Sequence, residues 1–188
     1  MGKVSYSMNV SLDGYIEDRD GELGWGRMDA ELHQWFNDRM RGIAASLYGR
    51  RLYETMAAYW PTAESDPDGN EVTRDFARVW NRTPKVVFSR TLREVIPGCR
   101  LVQGDVADIL PEIRRDLPGD LEVGGADLAG QLLRAGLVDE VELVVHPVAV
   151  GGGKPFWPDL ERPLDFELAE ITRFGSGVVA LRYERTPR

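Results

Sequence analysis

Residues 121–133, which read LEVGGADLAGQLL, contain a β-prone run that ends in a glycine pair, and an apolar helical pattern begins immediately after it. Glycine allows a sharp backbone turn and lets a ligand approach the chain closely. The start of the following helix offers unpaired N–H groups and the positive end of the helix dipole, which together suit a phosphate. A second junction of the same kind lies at residues 45–54, ASLYGRRLYE. Two such junctions in one small domain predict a ligand with two phosphates, such as a dinucleotide.

The predicted strands and helices around these junctions alternate along the chain. Apolar patterning predicts strands at residues 3–10, 43–48, 85–89, 100–103, 121–123 and 141–150. Helical spacing predicts helices at residues 29–40, 52–59, 72–80, 106–117 and 128–135, and Asp29 is predicted as the N-cap of the first. Residues 166–172 and 178–184 flank a glycine-rich turn typical of a hairpin. This order predicts one α/β domain over residues 1–188, with a largely parallel sheet that ends in antiparallel strands.

Charge and cysteine content exclude several classes of function. The 188 residues carry a formal net charge of −8, which argues against sequence-independent nucleic-acid binding and against an anionic membrane surface as partner. Cys99 is the only cysteine, so neither an intrachain disulfide nor a cysteine-rich zinc site is possible, and no ligand spacing predicts another metal site. The first residues lack a signal-peptide core and no apolar run reaches membrane-spanning length. We therefore expect a cytoplasmic protein whose partner is a small molecule.

Two arginines, Arg50 and Arg51, follow Gly49 at the start of a predicted helix. A guanidinium group matches pairs of phosphate oxygens, and its charge does not titrate in the physiological range. The alternative interpretation is two surface arginines without a ligand. The helix dipole disfavours cations at this end, so an anion between the arginines would remove a penalty. That conflict favours a phosphate site.

A polar segment formed by Ser89, Arg90 and Thr91 follows the strand predicted at residues 85–89. Ligands of open α/β sheets bind beyond the carboxyl ends of the strands. Two hydroxyl groups and a guanidinium group at such a position would suit the ribose 2′-phosphate that distinguishes NADP from NAD. An ordinary polar loop explains the segment equally well.

Acid–base chemistry has five candidate side chains: Asp13, Asp29, Glu31, His33 and His146. Asp13 precedes Gly14 at the end of a strand, where a turn-forming role and a catalytic role are both open. Glu31 lies in the first turn of a helix, where its charge is favourable even without a ligand. Trp25, in a glycine-rich loop, is the tryptophan that we expect near a planar substrate.

Five segments carry a resemblance to a known superfamily. They are residues 8–16 (MNVSLDGYI), 47–54 (LYGRRLYE), 87–92 (VFSRTL), 123–128 (VGGADL) and 147–156 (PVAVGGGKPF). In this order they resemble the dihydrofolate reductase superfamily, and more closely the branch that contains the reductase domain of riboflavin biosynthesis and its stand-alone relatives. The resemblance implies a three-layer α/β/α fold with a mostly parallel central sheet, and NADPH lying across the strand ends.

The resemblance also assigns residues of this chain to NADPH. It implies phosphate contacts from Gly49, Arg50 and Arg51, ribose-phosphate contacts from Ser89, Arg90 and Thr91, and pyrophosphate contacts from Gly124, Gly125, Ala126, Asp127 and Leu128. It places the nicotinamide against Asn9, Val10, Gly14 and Tyr15, and adds Tyr48 to the cofactor site. The peptide bond between Gly124 and Gly125 is expected to be cis, as the corresponding bond often is in this superfamily. Dihydrofolate reductases hold an acidic residue of the first helix against the pterin, and Glu31 is the nearest match, with Asp29 second.

The predicted function is an NADPH-dependent reductase that passes a hydride to a C=N or C=O carbon of a small heterocycle of pterin or pyrimidine type. Glu31 or an ordered water would supply the proton, and residues 14–26 would act as a lid. Three alternatives remain open: the 5-amino-6-(5-phosphoribosylamino)uracil reductase of riboflavin biosynthesis, an NADP-binding module without catalysis, and a structural protein on the same fold. The resemblance further implies a homodimer, in which a second copy covers the edge formed by residues 141–150 and the terminal hairpin.

Overall fold

The computed structural model describes residues 2–186 of the chain. Its strands are β1 (Val4–Ser11), β2 (Tyr15–Glu17), β3 (Ala45–Gly49), β4 (Lys85–Phe88), β5 (Cys99–Val102), β6 (Leu121–Gly124), β7 (Glu140–His146), β8 (Lys154–Pro155), β9 (Phe166–Arg173) and β10 (Val179–Arg185). Its α-helices are α1 (Ala30–Arg41), α2 (Arg50–Tyr59), α3 (Glu71–Arg82), α4 (Val106–Asp116) and α5 (Ala126–Arg134).

The central sheet has the strand order β5-β4-β3-β6-β1-β7-β10-β9. The strands from β5 to β7 pair in parallel, and β10 runs antiparallel to both β7 and β9. Strands β2 and β8 form a separate two-stranded ribbon. The predicted fold class is therefore confirmed: the sheet is mostly parallel, and the antiparallel strands belong to the C-terminal hairpin.

The two faces of the sheet differ in character. One face packs its apolar side chains against α4 and α5, in a core that includes Val4, Tyr6, Leu47, Val86 and Val123. The opposite face packs against α1, α2 and α3, in a second core that contains Tyr48, Tyr53, Phe76, Trp80 and Val87. Helices thus cover both faces of the parallel part, as buried parallel strands require.

The second face is polar along its central strands. The register places Ser5 beside Glu122 and Glu140, and Ser7 beside Glu142, so these side chains share the face that carries Asn9. Parallel strands that are covered on both sides ordinarily read as continuous apolar runs. A row of polar groups beneath helices is costly unless each group has a partner or a function. Three members of this row, Ser7, Asn9 and Glu122, form part of the cleft described below.

Three details of the fold differ from the sequence prediction. Strand β7 ends at His146 rather than at residue 150, because Pro147 cannot donate a ladder hydrogen bond. Helix α2 begins directly at Arg50, and α5 directly at Ala126, so no loop separates either helix from its strand. The β2–β8 ribbon was not predicted, since strands of three and two residues carry no readable periodicity.

Candidate active site

A cleft opens at the carboxyl ends of β3, β4 and β6. Its first part, here called the anion compartment, has a volume of about 520 Å³. The residues that line it include Gly49, Arg50, Arg51, Ser89, Arg90, Gly104, Gly124, Gly125, Ala126, Asp127, Leu128 and Lys154. The structure therefore brings together the two glycine junctions and the loop after β4, which lie far apart in sequence.

The helices that point at this compartment differ from the others in their N-terminal caps. Helices α1, α3 and α4 are capped by the side chains of Asp29, Asn70 and Asp105, each of which accepts a backbone N–H bond, so the predicted cap at Asp29 is confirmed. Helices α2 and α5 begin after Gly49 and Gly125, and neither has a side-chain cap. Their first N–H groups are left for a ligand, and the dipoles favour a negative one.

The turn between β6 and α5 requires both of its glycines. A Cβ atom on Gly124 would lie 2.4 Å from Leu52 Cδ2, and Gly125 has a φ of +91°. Every peptide bond within residues 2–186 is trans, so the expected cis bond between these glycines is wrong. The positive φ of Gly125 supplies the sharp turn without it.

Ion pairs hold the charged side chains around the anion compartment. Arg50 pairs with Glu54 of its own helix at 3.0 Å, and Arg51 Nη2 lies 3.0 Å from Glu17 Oε2 of the β2–β8 ribbon. Lys154, from the same ribbon, pairs with Asp127 at the start of α5. The ribbon is thus fastened to the beginnings of both uncapped helices. Each of these pairs is partly exposed, so an entering anion can compete for the cations.

The loop after β4 uses its hydroxyl groups internally. Ser89 Oγ accepts hydrogen bonds from the backbone N–H groups of Thr91 and Leu92, at 3.1 and 3.0 Å. Arg90 is exposed, lines the compartment and forms no ion pair within residues 2–186. Arg90 is therefore the predicted ribose-phosphate residue whose charge is available to a ligand. Thr91, by contrast, does not line the compartment.

The second part of the cleft, here called the aromatic compartment, has a volume of about 320 Å³. Its walls are formed mainly by Trp25, Met28, His33, Phe36, Met40, Met56, Trp60 and Phe76, and its floor by Ser7, Asn9 and Glu122. The two compartments share Met8, Ile16, Leu23, Leu52, Thr55 and Gly124, so they form one continuous cleft. Trp25, the tryptophan expected near a planar substrate, forms part of this wall.

Several residues assigned to the nicotinamide take other positions. Asn9 and Tyr48 line the aromatic compartment. Val10 is buried in the core on the opposite face of the sheet. Gly14 forms a turn whose carbonyl accepts from Phe156 N–H, and the Tyr15 N–H donates to Ser11 Oγ. Val10, Gly14 and Tyr15 therefore line neither compartment.

Asp13 joins two loops outside the cleft. Its carboxylate accepts from Ser11 Oγ at 2.6 Å and from the backbone N–H groups of Val150 and Gly151 at 3.1 and 2.7 Å. The hydrogen bond from Ser11, with those from the two backbone groups, lowers the pKa of Asp13. The side chain is exposed and lines neither compartment, so its geometry is that of a loop anchor.

Glu31 also points away from the cleft. Its Oε2 accepts from the backbone N–H of Gly175, in the turn between β9 and β10, at 3.0 Å. Asp29 is occupied by the cap of α1. The structure therefore brings neither acidic residue of this helix start to the substrate space, although the helix itself lies beside it.

Among the described residues, the acidic group that lines the aromatic compartment is Glu122 of β6, which sequence analysis missed. Burial raises the pKa of its carboxyl, while the charge of Arg39 opposes the rise. Glu122 is only half-buried because its side chain faces the aromatic compartment. The available signal was a glutamate inside a buried strand, two residues before the glycine pair, but the strand alone does not show which face borders a cavity.

His146 fixes the orientation of Asn9 on the floor. Its Nδ1 accepts from the backbone N–H of Arg27 at 2.8 Å, and its Nε2 lies 2.8 Å from Asn9 Oδ1. Because Nδ1 is an acceptor, Nε2 carries the proton and donates to Asn9. The amide N–H groups of Asn9 are then available to the cleft. Burial, and the charge of Arg27, lower the pKa of His146 and favour this neutral form.

The described residues form neither a metal-binding cluster nor a membrane-spanning helix. Over the described part of the chain, no group of three or more His, Cys, Asp or Glu side chains could hold a metal ion. None of the helices in residues 2–186 has the length and apolar content needed to cross a bilayer.

Comparison with known proteins identifies the family. The model of the RibD C-terminal domain matches residues 2–180. The chain belongs to the RibD C-terminal domain family. Its relative YyaP of Bacillus subtilis (strain 168), an uncharacterized protein, is 31% identical over 182 residues, which cover 96% of this chain and 94% of YyaP.

Solved structures of RibD-type proteins share the fold. A structure from Shewanella sp. PV-4 superposes with a TM-score of 0.78 at 24% identity and covers 100% of both chains. The diaminohydroxyphosphoribosylaminopyrimidine deaminase/5-amino-6-(5-phosphoribosylamino)uracil reductase of Thermotoga maritima gives a TM-score of 0.68 at 20% identity. That match covers 98% of this chain and 57% of the Thermotoga chain. The family assignment confirms the predicted resemblance to RibD-like reductase domains.

Proposed function

We propose that this member of the RibD C-terminal domain family is an NADPH-dependent reductase that acts on a C=N or C=O bond of a small heterocycle. The observation that carries the proposal is the pairing of two uncapped helix starts with an aromatic compartment in one continuous cleft. A dinucleotide has two phosphates for the helix starts and a flat ring for the junction of the compartments.

The residues of the anion compartment fit the cofactor. Gly124 and Gly125 place no side chain between the backbone at the start of α5 and a pyrophosphate in the compartment. Arg50 and Arg51 stand at the first turn of α2, where the helix dipole alone would disfavour them. Arg90, exposed beyond β4, supports the choice of NADPH over NADH because a 2′-phosphate would neutralise it.

The nicotinamide ring, when bound, supplies a hydride to the substrate carbon, and NADPH is oxidised to NADP⁺. The substrate heteroatom takes up one proton, which completes the reduction. Glu122 is suited to hold that proton, since burial favours its neutral form. The remaining task of the chain is to align two rings and exclude water, which the aromatic walls can do.

The uracil reductase reaction named for the Thermotoga relative is the second candidate. Family membership favours it. It requires the same cofactor but a substrate with a ribose phosphate.

A thermal-shift titration with NADPH, NADH and FMN tests the proposal. We expect NADPH to raise the melting temperature selectively, because a ligand at a hundredfold excess over its dissociation constant stabilises a protein by about 2.7 kcal/mol. Oxidation of NADPH by a panel of pterins and pyrimidines then tests catalysis. A melting temperature that none of the three ligands changes would rule out a reductase that uses NADPH.

A further inference from the structure

The aromatic compartment offers almost no positive charge to a ligand. Among the described residues that line it, Arg39 is the only lysine or arginine. Its Nε lies 2.8 Å from Glu142 Oε2, and its Nη2 lies 3.9 Å from Glu140 Oε1. Both glutamates are buried, so the guanidinium group of Arg39 is already held by two carboxyl groups of the protein. A phosphate group in this compartment would find no free cation to balance its charge.

One acceptor on the floor remains without a partner. Glu142 accepts from Ser7 Oγ at 3.0 Å in addition to its ion pair, and Glu140 contacts Lys3 and Arg182. Within residues 2–186, Glu122 makes no side-chain hydrogen bond and no ion pair, yet it faces the cavity. A carboxyl group in a partly buried site is costly without donors. A bound ring with N–H groups would supply them.

The walls favour a flat ligand. Trp60 and Phe76 lie with their ring centroids 4.3 Å apart, and His33 contacts Phe76 with a centroid distance of 5.4 Å. Trp25 also lines the compartment and lies nearly perpendicular to the His146 ring, at a centroid distance of 5.7 Å. Burial lowers the pKa of His33, so this wall is uncharged at neutral pH. Aromatic faces around a narrow space select planar ligands by contact area.

We infer that the aromatic compartment takes an unphosphorylated planar ring of neutral or positive charge, which donates hydrogen bonds from ring or amino N–H groups to Glu122. The ring is then the substrate of the proposed reductase, an assignment that rests on the proposed function. A phosphoribosylated pyrimidine is disfavoured, because the described lining of this compartment offers a phosphate the Glu122 carboxyl group and no free lysine or arginine.

Three probes built on one pyrimidine ring test this inference by quenching of tryptophan fluorescence. They are 2,4-diaminopyrimidine, with amino donors; uracil, which is neutral; and orotate, which is uracil with a carboxylate. We expect affinity to fall in that order, with about a tenfold or greater difference between the first and the last, because orotate lacks the amino donors and brings a negative charge that no free cation in the compartment balances. Orotate binding as tightly as 2,4-diaminopyrimidine, or no saturable binding of any probe at millimolar concentration, would overturn the inference.

A matched pair of variants locates the binding site. Glu122→Gln keeps the size of the side chain but replaces one acceptor oxygen with a donor. It should weaken 2,4-diaminopyrimidine about tenfold and uracil by a smaller factor, since uracil offers two N–H donors and the diamine four. Glu31→Gln removes a carboxylate outside the cleft and should change neither. Equal affinities in Glu122→Gln and the unchanged protein contradict the role of Glu122. The NADPH thermal shift on the same samples is independent, so its loss would reject the proposed function without altering the order of the ring probes.

Discussion

At the scale of single residues, Glu142 on the polar face of the sheet makes the stability of the protein depend on pH. The side chain is 2% exposed, and burial raises its pKa to about 7 despite the opposing effects of Arg39 and Ser7. The unfolded chain has a carboxyl pKa near 4.5. Between these values the native state holds a proton that the unfolded state has lost, so the free energy of unfolding falls as the pH rises.

Glu142→Gln should therefore flatten the dependence of stability on pH between about 4.5 and 7. We expect the variant to remove a slope worth on the order of 2 kcal/mol across that window, measured by urea unfolding at several pH values. Glu122, whose pKa is also raised by burial, keeps part of the slope in the variant. Glu170→Gln, at an exposed glutamate, is the control and should leave the slope unchanged. Parallel pH profiles for the Glu142 variant and the unchanged protein would contradict this account.

Arg90 is the residue expected to distinguish the two nicotinamide cofactors. Arg90→Ala should weaken NADPH about tenfold or more and NADH less than twofold, because only NADPH has a 2′-phosphate for the guanidinium group. Dissociation constants from fluorescence titration of both cofactors measure the ratio. Arg93→Ala removes the same charge from an exposed site that does not line the cleft and should preserve both affinities. An unchanged NADPH/NADH ratio in Arg90→Ala would reject the phosphate assignment.

At the scale of elements, the β2–β8 ribbon is linked to both helix starts of the anion compartment. The Glu17–Arg51 pair joins it to α2, and the Lys154–Asp127 pair joins it to α5. Glu17 occupies Arg51 with a carboxylate, as a ligand phosphate would. We therefore expect the ribbon and the proposed cofactor to compete for the same guanidinium group.

Glu17→Gln should increase the affinity for NADPH by about two- to fivefold, since an exposed ion pair of this kind contributes up to about 1 kcal/mol. Isothermal titration calorimetry at low ionic strength measures the change. Asp20→Asn removes one negative charge from the neighbouring turn without touching Arg51 and serves as the control. An affinity that falls in Glu17→Gln would mean that the pair organises the site instead of competing for it.

At the scale of the whole molecule, the C-terminal edge of the sheet exposes an apolar surface. Leu168 and Ile171 of β9 are 49% and 55% exposed, and their β10 neighbours Tyr183 and Leu181 lie on the same face. Strand β9 is also an edge strand with unpaired backbone groups. Apolar edge strands are ordinarily covered, so we propose that a second copy of the chain packs here.

Ile171→Lys should convert such a dimer to a monomer, because it places a charge in the centre of the apolar surface. Sedimentation equilibrium over a range of protein concentrations measures the mass. Glu167→Lys puts a lysine on the same strand but on the opposite face and should leave the dimer intact. A native chain that sediments as a monomer at all concentrations would refute the proposal.

The prediction of elements succeeded where the signal is local. The Gly49 and Gly125 turns, the cap at Asp29 and the terminal hairpin depend on residue types within a few positions, and each is present in the structure. The predicted cis bond failed because the same turn can be made by a positive φ at Gly125. Asp13 was considered for its place at a strand end and Glu31 for its match to the acidic residue of the first helix in dihydrofolate reductases, yet both anchor loops outside the cleft.

The sequence by itself determined the alternation of strands and helices, the two glycine junctions and the arginines beside them, because periodicity and backbone freedom are properties of short segments. Only the tertiary structure decided that Glu122 faces a cavity and that Arg39 contacts Glu142. It also decided that the β2–β8 ribbon contacts α2 through the Glu17–Arg51 pair. Those contacts depend on strand register and on side chains far apart in the chain, such as Ser7 and Glu142 on adjacent strands. A pattern within one strand shows that its two faces differ, but the face that borders the cleft is set by the helices that pack around it.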